Sequence, residues 1–313
     1  MAANYITGLV ERARSAFAEY EYATQETVDF ICPRIAWAGC REEFARQIAA
    51  MAYDRTGLGD EHSKYLKMRN KLKAIYAETK GAKTVDVISV DEERGLIEFA
   101  KPVGVIGALI PVTNPEMTPF IKALWALKTR NAIILAPHPR ALEVNNLAVR
   151  TIRGVLKQHG YPQDLVIGVE ESSIENSKQL MQECDLILAT GGAAMVKAAY
   201  SSGKPAYGVG TGNAMVIVDE TVDVADSAAK IATSKTFDLA SGCSADNGCL
   251  VHDSVYRELV DRLEENGGFL VRQGSDEKQR LRSIMWTERN VLNREIIARP
   301  ARLIAEKAGI DVP

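Results

Sequence analysis

Two of the chain's five cysteines lie six positions apart in the stretch TFDLASGCSADNGCL, residues 236 to 250. A catalytic thiol must be reachable and must ionise easily, which favours a turn or a helix N-terminus over the middle of a strand. Cys243 lies among small residues whose backbone N–H groups could bind an anion. Cys249 opens the apolar run CLVHD, which predicts that its side chain faces a core. Cys243 is therefore the best candidate for a nucleophile among the five cysteines, and a small apolar side chain without a catalytic role is the open alternative.

The other three cysteines fall in patterns that predict a structural place. Cys32 and Cys184 lie within apolar helical patterns, and Cys40 follows Gly39 at a predicted helix end. An odd number of widely spaced cysteines in a long chain argues against a disulfide framework and favours a reducing cytoplasm. The chain has no CxxC pair and its four histidines are scattered, so no metal site is predicted.

Four loops rich in small or turn-forming residues follow predicted strands: PVTNP (111–115), APHPRA (136–141), ATGGAA (189–194) and GVGTGN (208–213). In the first loop, Asn114 lies between an apolar strand and a helix that we expect to begin near Pro115. The Asn114 amide could donate a hydrogen bond to an oxyanion at this place. An ordinary helix N-cap, where Asn and Pro are both favoured, is the alternative.

The other three loops have compositions typical of ligand-binding turns. Two prolines stiffen the second loop, from which His138 and Arg140 could reach a phosphate or a ribose, or only solvent. The third loop places glycines before a helix expected near Ala193, where backbone and helix N-terminus could hold a phosphate, although it is not the GxGxxG fingerprint. The alternate glycines of the fourth loop indicate either a close approach to a ligand or another chain, or an ordinary turn.

The scaffold for these loops begins near residue 84. KTVDVISVD and GLIEFAKPV alternate in the manner of an antiparallel pair. Short apolar runs then alternate with amphipathic helical stretches; the runs are VGVIGALIPV, AIILAP, LVIGV, LILAT and AMVIVD. This order predicts an α/β fold, a doubly wound parallel sheet with helices on both faces. Ligands of such sheets bind beyond the carboxyl ends of the strands.

Apolar residues at three- and four-residue steps predict helices over the first 80 residues, the third of them ending at Gly57. We prefer helices packed on their own domain to a targeting or partner helix. The predicted domains are residues 1–237, the N-terminal helices with a dinucleotide-binding domain, and residues 238–313, the cysteine-bearing start of a second α/β catalytic domain.

Composition excludes several classes of function. The 313 residues are 46% hydrophobic and 25% charged with a net charge of -3, which is typical of a globular protein and offers no electrostatic footprint for nucleic acid or an anionic membrane. No apolar run reaches the length of about 18 residues that a membrane helix needs, and the N-terminal stretch lacks the apolar core of a secretory signal.

Several stretches in the right order resemble a known family from about residue 100 to 310. KPVGVIGALIPVTNP, KTRNAIILAPHPRA, LILATGGAAMVKAAYSSGKPAYGVGTGN and DETVDVADSAAKIATSKTFD followed by a cysteine are similar to the CoA-acylating aldehyde dehydrogenases. The aldehyde dehydrogenase half of bacterial aldehyde–alcohol dehydrogenases is especially similar. The resemblance implies the aldehyde dehydrogenase variant of the Rossmann fold, and an enzyme that converts a small aldehyde, NAD or NADP and coenzyme A into acyl-CoA and reduced cofactor.

The resemblance also implies roles for single residues. Cys243 matches the nucleophile, which carries the acyl group as a thioester, and Asn114 matches the asparagine that forms the oxyanion hole with the nucleophile's N–H. The remaining matches lie in segments that contact the cofactor: Thr113, Pro137, His138, Arg140, Thr190, Gly191, Gly192 and Gly210. A homo-oligomer is expected for the full-length form.

Two departures from the family pattern carry information. Hydrolytic relatives keep a water-activating glutamate in the segment that matches YGVGTGN, whereas no carboxylate lies between Lys204 and Asp219 in this chain. This favours transfer to CoA; a hydrolytic aldehyde dehydrogenase and a non-catalytic dinucleotide-binding module are the alternatives.

Family members are also longer, so we expect the catalytic domain to be truncated. Acetaldehyde is the default substrate, and the polarity of SGCSADN makes a polar aldehyde such as sulfoacetaldehyde the other candidate.

Overall fold

The computed structural model describes residues 2–210, 212–288 and 290–312. These residues form two compact units. The first comprises the described residues within Met1–Gly57 and Lys64–Thr211, and the second those within Leu58–Ser63 and Gly212–Pro313. No helix among the described residues is both long enough and apolar enough to cross a membrane.

Helices occupy the N-terminal part of the chain, as the periodicity predicts. They are α1 (Ala2–Tyr20), α2 (Gln25–Cys40), α3 (Glu42–Thr56), α4 (Glu61–Leu66), a π-helical turn (Lys67–Lys71) and α5 (Leu72–Thr79). Gly57 ends α3 in the left-handed conformation, with φ of 60°, and its N–H donates to the Tyr53 carbonyl. Glycine is favoured at this position because it has no Cβ to clash.

A parallel sheet of five strands forms the centre of the first unit. Its strands and helices, in chain order, are β3 (Val105–Ile110), α6 (Thr118–Lys128), β4 (Ala132–Pro137), α7 (Leu142–Gln158), β5 (Val166–Gly168), α8 (Ile174–Glu183), β6 (Leu186–Thr190), α9 (Ala193–Tyr200) and β7 (Ala206–Val209). The spatial order is β5-β4-β3-β6-β7. All residues of β3 and β4 are buried, which explains their continuous apolar sequences. The predicted doubly wound fold is confirmed.

Ahead of this sheet, β1 (Asp86–Asp91) and β2 (Leu96–Ala100) pair antiparallel. This is the predicted hairpin. Its apolar side chains are largely exposed, including Val90, Ile97 and Phe99, each more than half exposed.

The second unit contains a two-stranded parallel sheet of β8 (Ala214–Val218) and β9 (Asp246–Val251). Helices α10 (Val224–Thr236) and α11 (Asp253–Glu265) pack on it around a core that includes Val218, Ala228 and Leu259. Two further helices are α12 (Asp276–Met285) and α13 (Ala301–Ala308).

The structure groups one strand differently from the sequence prediction. AMVIVD, expected in the large sheet, forms β8 and pairs with β9, and the fifth strand of the large sheet is Ala206–Val209. The apolar run suggested a strand buried on both faces, as in the large sheet. In the structure the residues of β8 alternate in burial, and Ile217 is 76% exposed. The second unit takes in the described residues from 212 onward together with residues 58–63, whereas the sequence prediction puts the domain boundary at 237/238.

Candidate active site

Three of the four predicted loops follow neighbouring strands of the parallel sheet. Residues 111–117 follow β3, residues 138–141 follow β4 and residues 191–192 follow β6. Carboxyl ends of parallel strands lie at one edge, so these loops lie along the same edge of the sheet. The connections from β3 and β6 leave on either side of the point where the strand order reverses, which is where doubly wound sheets bind their ligands.

The side chain of Asn114 does not cap α6. That helix begins at Thr118, whose N–H and hydroxyl both donate to the Asn114 backbone carbonyl, at 3.2 and 2.7 Å. The Asn114 side chain instead accepts a hydrogen bond at Oδ1 from Lys67 Nζ, at 2.5 Å, and donates from Nδ2 to Thr113 Oγ1 at 3.3 Å. Asn114 is partly exposed. Its amide is therefore held by side chains and is not used to start the helix.

In the loop after β4, the side chains of His138 and Arg140 both form hydrogen bonds with residues of the first unit. His138 Nδ1 accepts a hydrogen bond from the Arg140 N–H at 3.2 Å and caps the short turn Pro139–Ala141. The Arg140 guanidinium donates to the carbonyl of Thr56, at the end of α3. Pro137 ends β4, and its carbonyl accepts from the Ser172 hydroxyl at 2.6 Å. These contacts fix the loop, and cofactor contacts by Pro137, His138 and Arg140 remain predictions.

The loop after β6 leaves open space above its glycines. Thr190 is the last residue of β6, and the Gly191 N–H donates to the Val209 carbonyl at 3.1 Å. A Cβ on Gly192 would meet no atom within 4 Å, and one on Gly191 would make only ordinary contacts with Met195. Neither glycine has a positive φ. Since neither packing nor backbone conformation requires glycine here, the space is available to a ligand at the start of α9.

The glycines of GVGTGN have three different surroundings. A Cβ on Gly208 would clash with Val196 at 2.6 Å, so this glycine serves the packing of α9 on β7. A Cβ on Gly210 would meet only Val196, at 3.9 Å, and one on Gly212 would lie 2.8 Å from the Cys243 carbonyl oxygen. Gly212 thus lets the start of β8 approach the cysteine loop. Thr211 lies outside the described residues.

Cys243 lies on a turn at the entry to β9. The Ala245 N–H closes this turn on the Gly242 carbonyl at 3.2 Å. Of the five cysteines, all of them described, Cys243 is the exposed one. The N–H groups of Cys243 and Ser244 donate no hydrogen bond within the described part of the chain. A reachable sulfur beside two undonated N–H groups has the features that a thiol nucleophile with an oxyanion needs.

The other cysteines have surroundings that disfavour a thiolate. Burial raises the pKa of Cys32 to about 12 and that of Cys184 to about 11. Burial also raises the pKa of Cys40 and, with Asp246 nearby, the pKa of Cys249. Cys249 packs against the core of the second unit, as its place in an apolar run predicts.

A left-handed turn immediately precedes the Cys243 turn. Asp238, Leu239 and Ala240 have φ of 50°, 50° and 55°. Three successive non-glycine residues in this conformation are unfavourable, at roughly 1–2 kcal/mol each. Residues 58–63 hold the turn: Asp238 Oδ1 accepts from the Asp60 N–H at 2.9 Å, and the Asp238 N–H donates to Ser63 Oγ at 3.0 Å.

Sequence reasoning missed four residues that organise these loops. Lys67 lies beneath the Asn114 loop and pairs with Glu116 of that loop, and Asp238 anchors the turn before Cys243. Lys122 donates to the Leu109 and Leu188 carbonyls of β3 and β6, both at 2.8 Å. Charged residues at helical spacing usually indicate a solvated face, and only packing distinguishes these from such a face.

The first unit contains a doubly wound parallel sheet, and the second presents an exposed thiol. The chain matches the sequence profile described as "Aldehyde dehydrogenase family" over residues 2–281. It belongs to the aldehyde dehydrogenase family.

Two relatives and one solved structure show which members of this family the chain is similar to. The chain is 41% identical over 311 residues to a sulfoacetaldehyde dehydrogenase from Acholeplasma sp, covering 98% of this chain and 64% of that protein. It is 42% identical over 310 residues to the bifunctional aldehyde-alcohol dehydrogenase AdhE of Escherichia coli (strain K12), covering 98% of this chain and 34% of AdhE. An acetylating aldehyde dehydrogenase from Geobacillus thermoglucosidasius superposes with a TM-score of 0.92 at 37% identity, over 100% of this chain and 68% of that structure. The chain thus spans less than two thirds of the Acholeplasma relative.

Proposed function

We propose that this chain carries out the CoA-acylating oxidation of a small aldehyde with NAD or NADP, through a thioester on Cys243. The observation that carries the proposal is the exposed Cys243 turn, whose two N–H groups donate no hydrogen bond to any described residue. Membership of the aldehyde dehydrogenase family supports the same chemistry.

In the proposed reaction, the Cys243 thiolate attacks the aldehyde carbonyl carbon and forms a tetrahedral oxyanion. The Asn114 amide and the Cys243 N–H donate hydrogen bonds to that oxygen; losing one such donor typically slows a reaction by about 10²–10³-fold. An oxidised nicotinamide, when bound, would supply the acceptor for the hydride that leaves the tetrahedral carbon. The thioester left on Cys243 then passes its acyl group to the thiolate of CoA, and the Cys243 thiolate is regenerated.

The loop of Thr190, Gly191 and Gly192 fits the phosphates of a dinucleotide. The open space above both glycines and the helix start at Gly192 favour a phosphate at that place. Pro137, His138, Arg140, Thr113 and Gly210 are proposed to contact the rest of the cofactor. Arg140 could meet a 2′-phosphate, but its bond to the Thr56 carbonyl engages part of the guanidinium.

Transfer to CoA rather than to water is supported by a missing carboxylate. The segment between Lys204 and Asp219 contains no acidic residue that could activate water. A thiol with a pKa of about 8.5 is already partly thiolate near neutral pH and needs less help from a base. This segment therefore lacks a carboxylate that would promote hydrolysis of the thioester.

Sulfoacetaldehyde is the substrate that we place first, ahead of acetaldehyde. The Acholeplasma relative, 41% identical, is named a sulfoacetaldehyde dehydrogenase. The polar stretch SGCSADN around Cys243 is consistent with a polar aldehyde.

The test follows NAD(P)H absorbance with sulfoacetaldehyde, acetaldehyde and propionaldehyde, each with NAD or NADP and with or without CoA. We expect reduction that depends on CoA, acyl-CoA as the product, and ping-pong kinetics. Acid formed without CoA would favour a hydrolytic dehydrogenase. Binding of NAD(P) without reduction under any condition would favour a non-catalytic module. The homo-oligomer and the cytoplasmic location stay predictions.

A further inference from the structure

Two lysines are buried beneath the loop that carries Asn114. Lys64, on α4, and Lys67, which opens the π-helical turn, are 0% and 3% exposed. Their spacing of three residues puts them on one side of the helix. Lys71 and Lys73, which follow in the same basic stretch, are exposed. Burying a lysine without a partner is costly, so buried lysines mark contacts that the fold maintains.

Lys67 contacts two polar side chains of the Asn114 loop. Its Nζ lies 2.5 Å from Asn114 Oδ1 and 2.9 Å from Glu116 Oε1. The Glu116 side chain is 0% exposed and that of Lys67 is 4% exposed, so the charge pair is shielded from water. Lys64 adds a third attachment, donating from Nζ to the Thr113 carbonyl at 3.2 Å.

The chemistry of the contact determines which way the Asn114 amide points. An ammonium group has donors only, so the amide must turn its oxygen toward Lys67. The NH₂ group then faces the other way. One of its hydrogens is directed at Thr113 Oγ1, at 3.3 Å, and the second is left for another acceptor. The nearby positive charge also polarises the amide and strengthens its N–H groups as donors.

We propose that Lys67 is the positioning residue of the oxyanion site, holding the Asn114 amide with its NH₂ group directed toward the substrate oxygen. This inference rests on the proposed function, since it gives Asn114 an oxyanion to bind. Glu116 balances the buried charge of Lys67, and the Lys64 contact holds the backbone next to Asn114. Lys67 acts through Asn114 and does not itself touch the reacting atoms.

The first experiment measures the order of the Asn114 side chain and requires no turnover. Because Lys67→Met alone leaves the Glu116 charge buried and unpaired, the variant of choice is Lys67→Met with Glu116→Gln. In ¹⁵N NMR, with the Asn114 NH₂ pair assigned by its loss in Asn114→Ala, we expect a rigid amide in the wild type and in the control Lys71→Met. We expect a mobile amide in the double variant. An equally rigid amide without Lys67 overturns the proposal.

The second experiment compares two reactions of Cys243. Acyl transfer from acetyl-CoA requires an oxyanion site, whereas alkylation by iodoacetamide does not. We expect the double variant to slow acyl transfer by about 10- to 100-fold and to leave alkylation unchanged. If Lys67 acts only through Asn114, the triple variant that also carries Asn114→Ala should transfer the acyl group as fast as the single variant Asn114→Ala. Equal slowing of both reactions, or losses that multiply, overturns the proposal. A wild type that never forms the thioester refutes the proposed function instead, and the NMR result still decides the role of Lys67.

Discussion

Replacing Asp238 by alanine should loosen the turn that leads into the Cys243 loop. The Asp238 side chain is buried, and its Oδ1 accepts the Asp60 N–H at 2.9 Å. The fit is close: a Cβ on Gly59 would lie 1.9 Å from the same oxygen. Asp238, Leu239 and Ala240 all have positive φ, so the turn depends on contacts of this kind to hold its conformation.

The size of the effect follows from two terms. A hydrogen bond to a charged acceptor contributes about 1.5–3 kcal/mol, and its loss leaves the Asp60 N–H without its acceptor. Alanine is also less tolerant of the left-handed conformation than aspartate, which adds a fraction of 1–2 kcal/mol. Together we expect Asp238→Ala to lower the free energy of unfolding of the second unit by about 3 kcal/mol. Asp238→Asn keeps an oxygen acceptor and tolerates positive φ, so its cost should stay below about 1 kcal/mol.

Hydrogen exchange measured by mass spectrometry can follow each unit through its own peptides. Peptides from residues 58–63 and 212–265 report the second unit, and peptides from the five-stranded sheet serve as the internal reference. We expect protection to fall in the second unit for Asp238→Ala and to stay near wild type for Asp238→Asn. If the two variants lose equal protection, or if alanine costs less than 1 kcal/mol, the argument from the Asp60 bond is refuted.

Three further predictions rest on other single positions. Cys243→Ala should abolish thioester formation while Cys249→Ala retains most of it, measured by mass spectrometry after acetyl-CoA treatment; the reverse result would assign the nucleophile to Cys249. Ala240→Gly should stabilise the second unit by about 0.5–1 kcal/mol in the same exchange assay, because glycine accepts a φ of 55° without strain, and destabilisation would contradict the left-handed assignment. Burial lowers the pKa of Lys122 from 10.5 to about 7, so the unfolded chain binds more protons between these pH values and wild-type stability should rise with pH across that window. Lys122→Met should lack this rise in denaturant melts, and parallel profiles for the two proteins would refute it.

The sequence predicted the scaffold well where local pattern and burial agree. Apolar runs such as AIILAP became fully buried strands, and Gly57 ended its helix as expected. The prediction for AMVIVD differed from the structure because an apolar run does not reveal whether one face or both are covered, and β8 leaves Ile217 exposed. Pairing of β8 with β9 is a contact between residues about 30 positions apart, and nothing in either segment alone specifies it.

The same holds for the candidate site: some of its residues can be recognised in the sequence, and others only from their packing in the structure. Glycines at 191 and 192 are visible in the sequence, and the structure adds that neither is required by its own surroundings. Lys67, in contrast, stands in the stretch HSKYLKMRNKLK, where basic residues at helical spacing resemble a solvated face. The π-helical turn and the buried Glu116 distinguish it from exposed Lys71, and neither can be read from local composition.

The left-handed turn before Cys243 shows why this limit is physical. Leu239 and Ala240 have no preference for positive φ, so their own propensities predict some other conformation. The turn exists because residues 58–63, about 175 positions earlier, supply the bonds to Asp238 that offset the strain. Backbone held against its local preference persists only where the surrounding structure determines it, and such places concentrate at functional sites. A strained turn held by distant contacts next to the exposed cysteine therefore supports the nucleophile assignment independently of the motif.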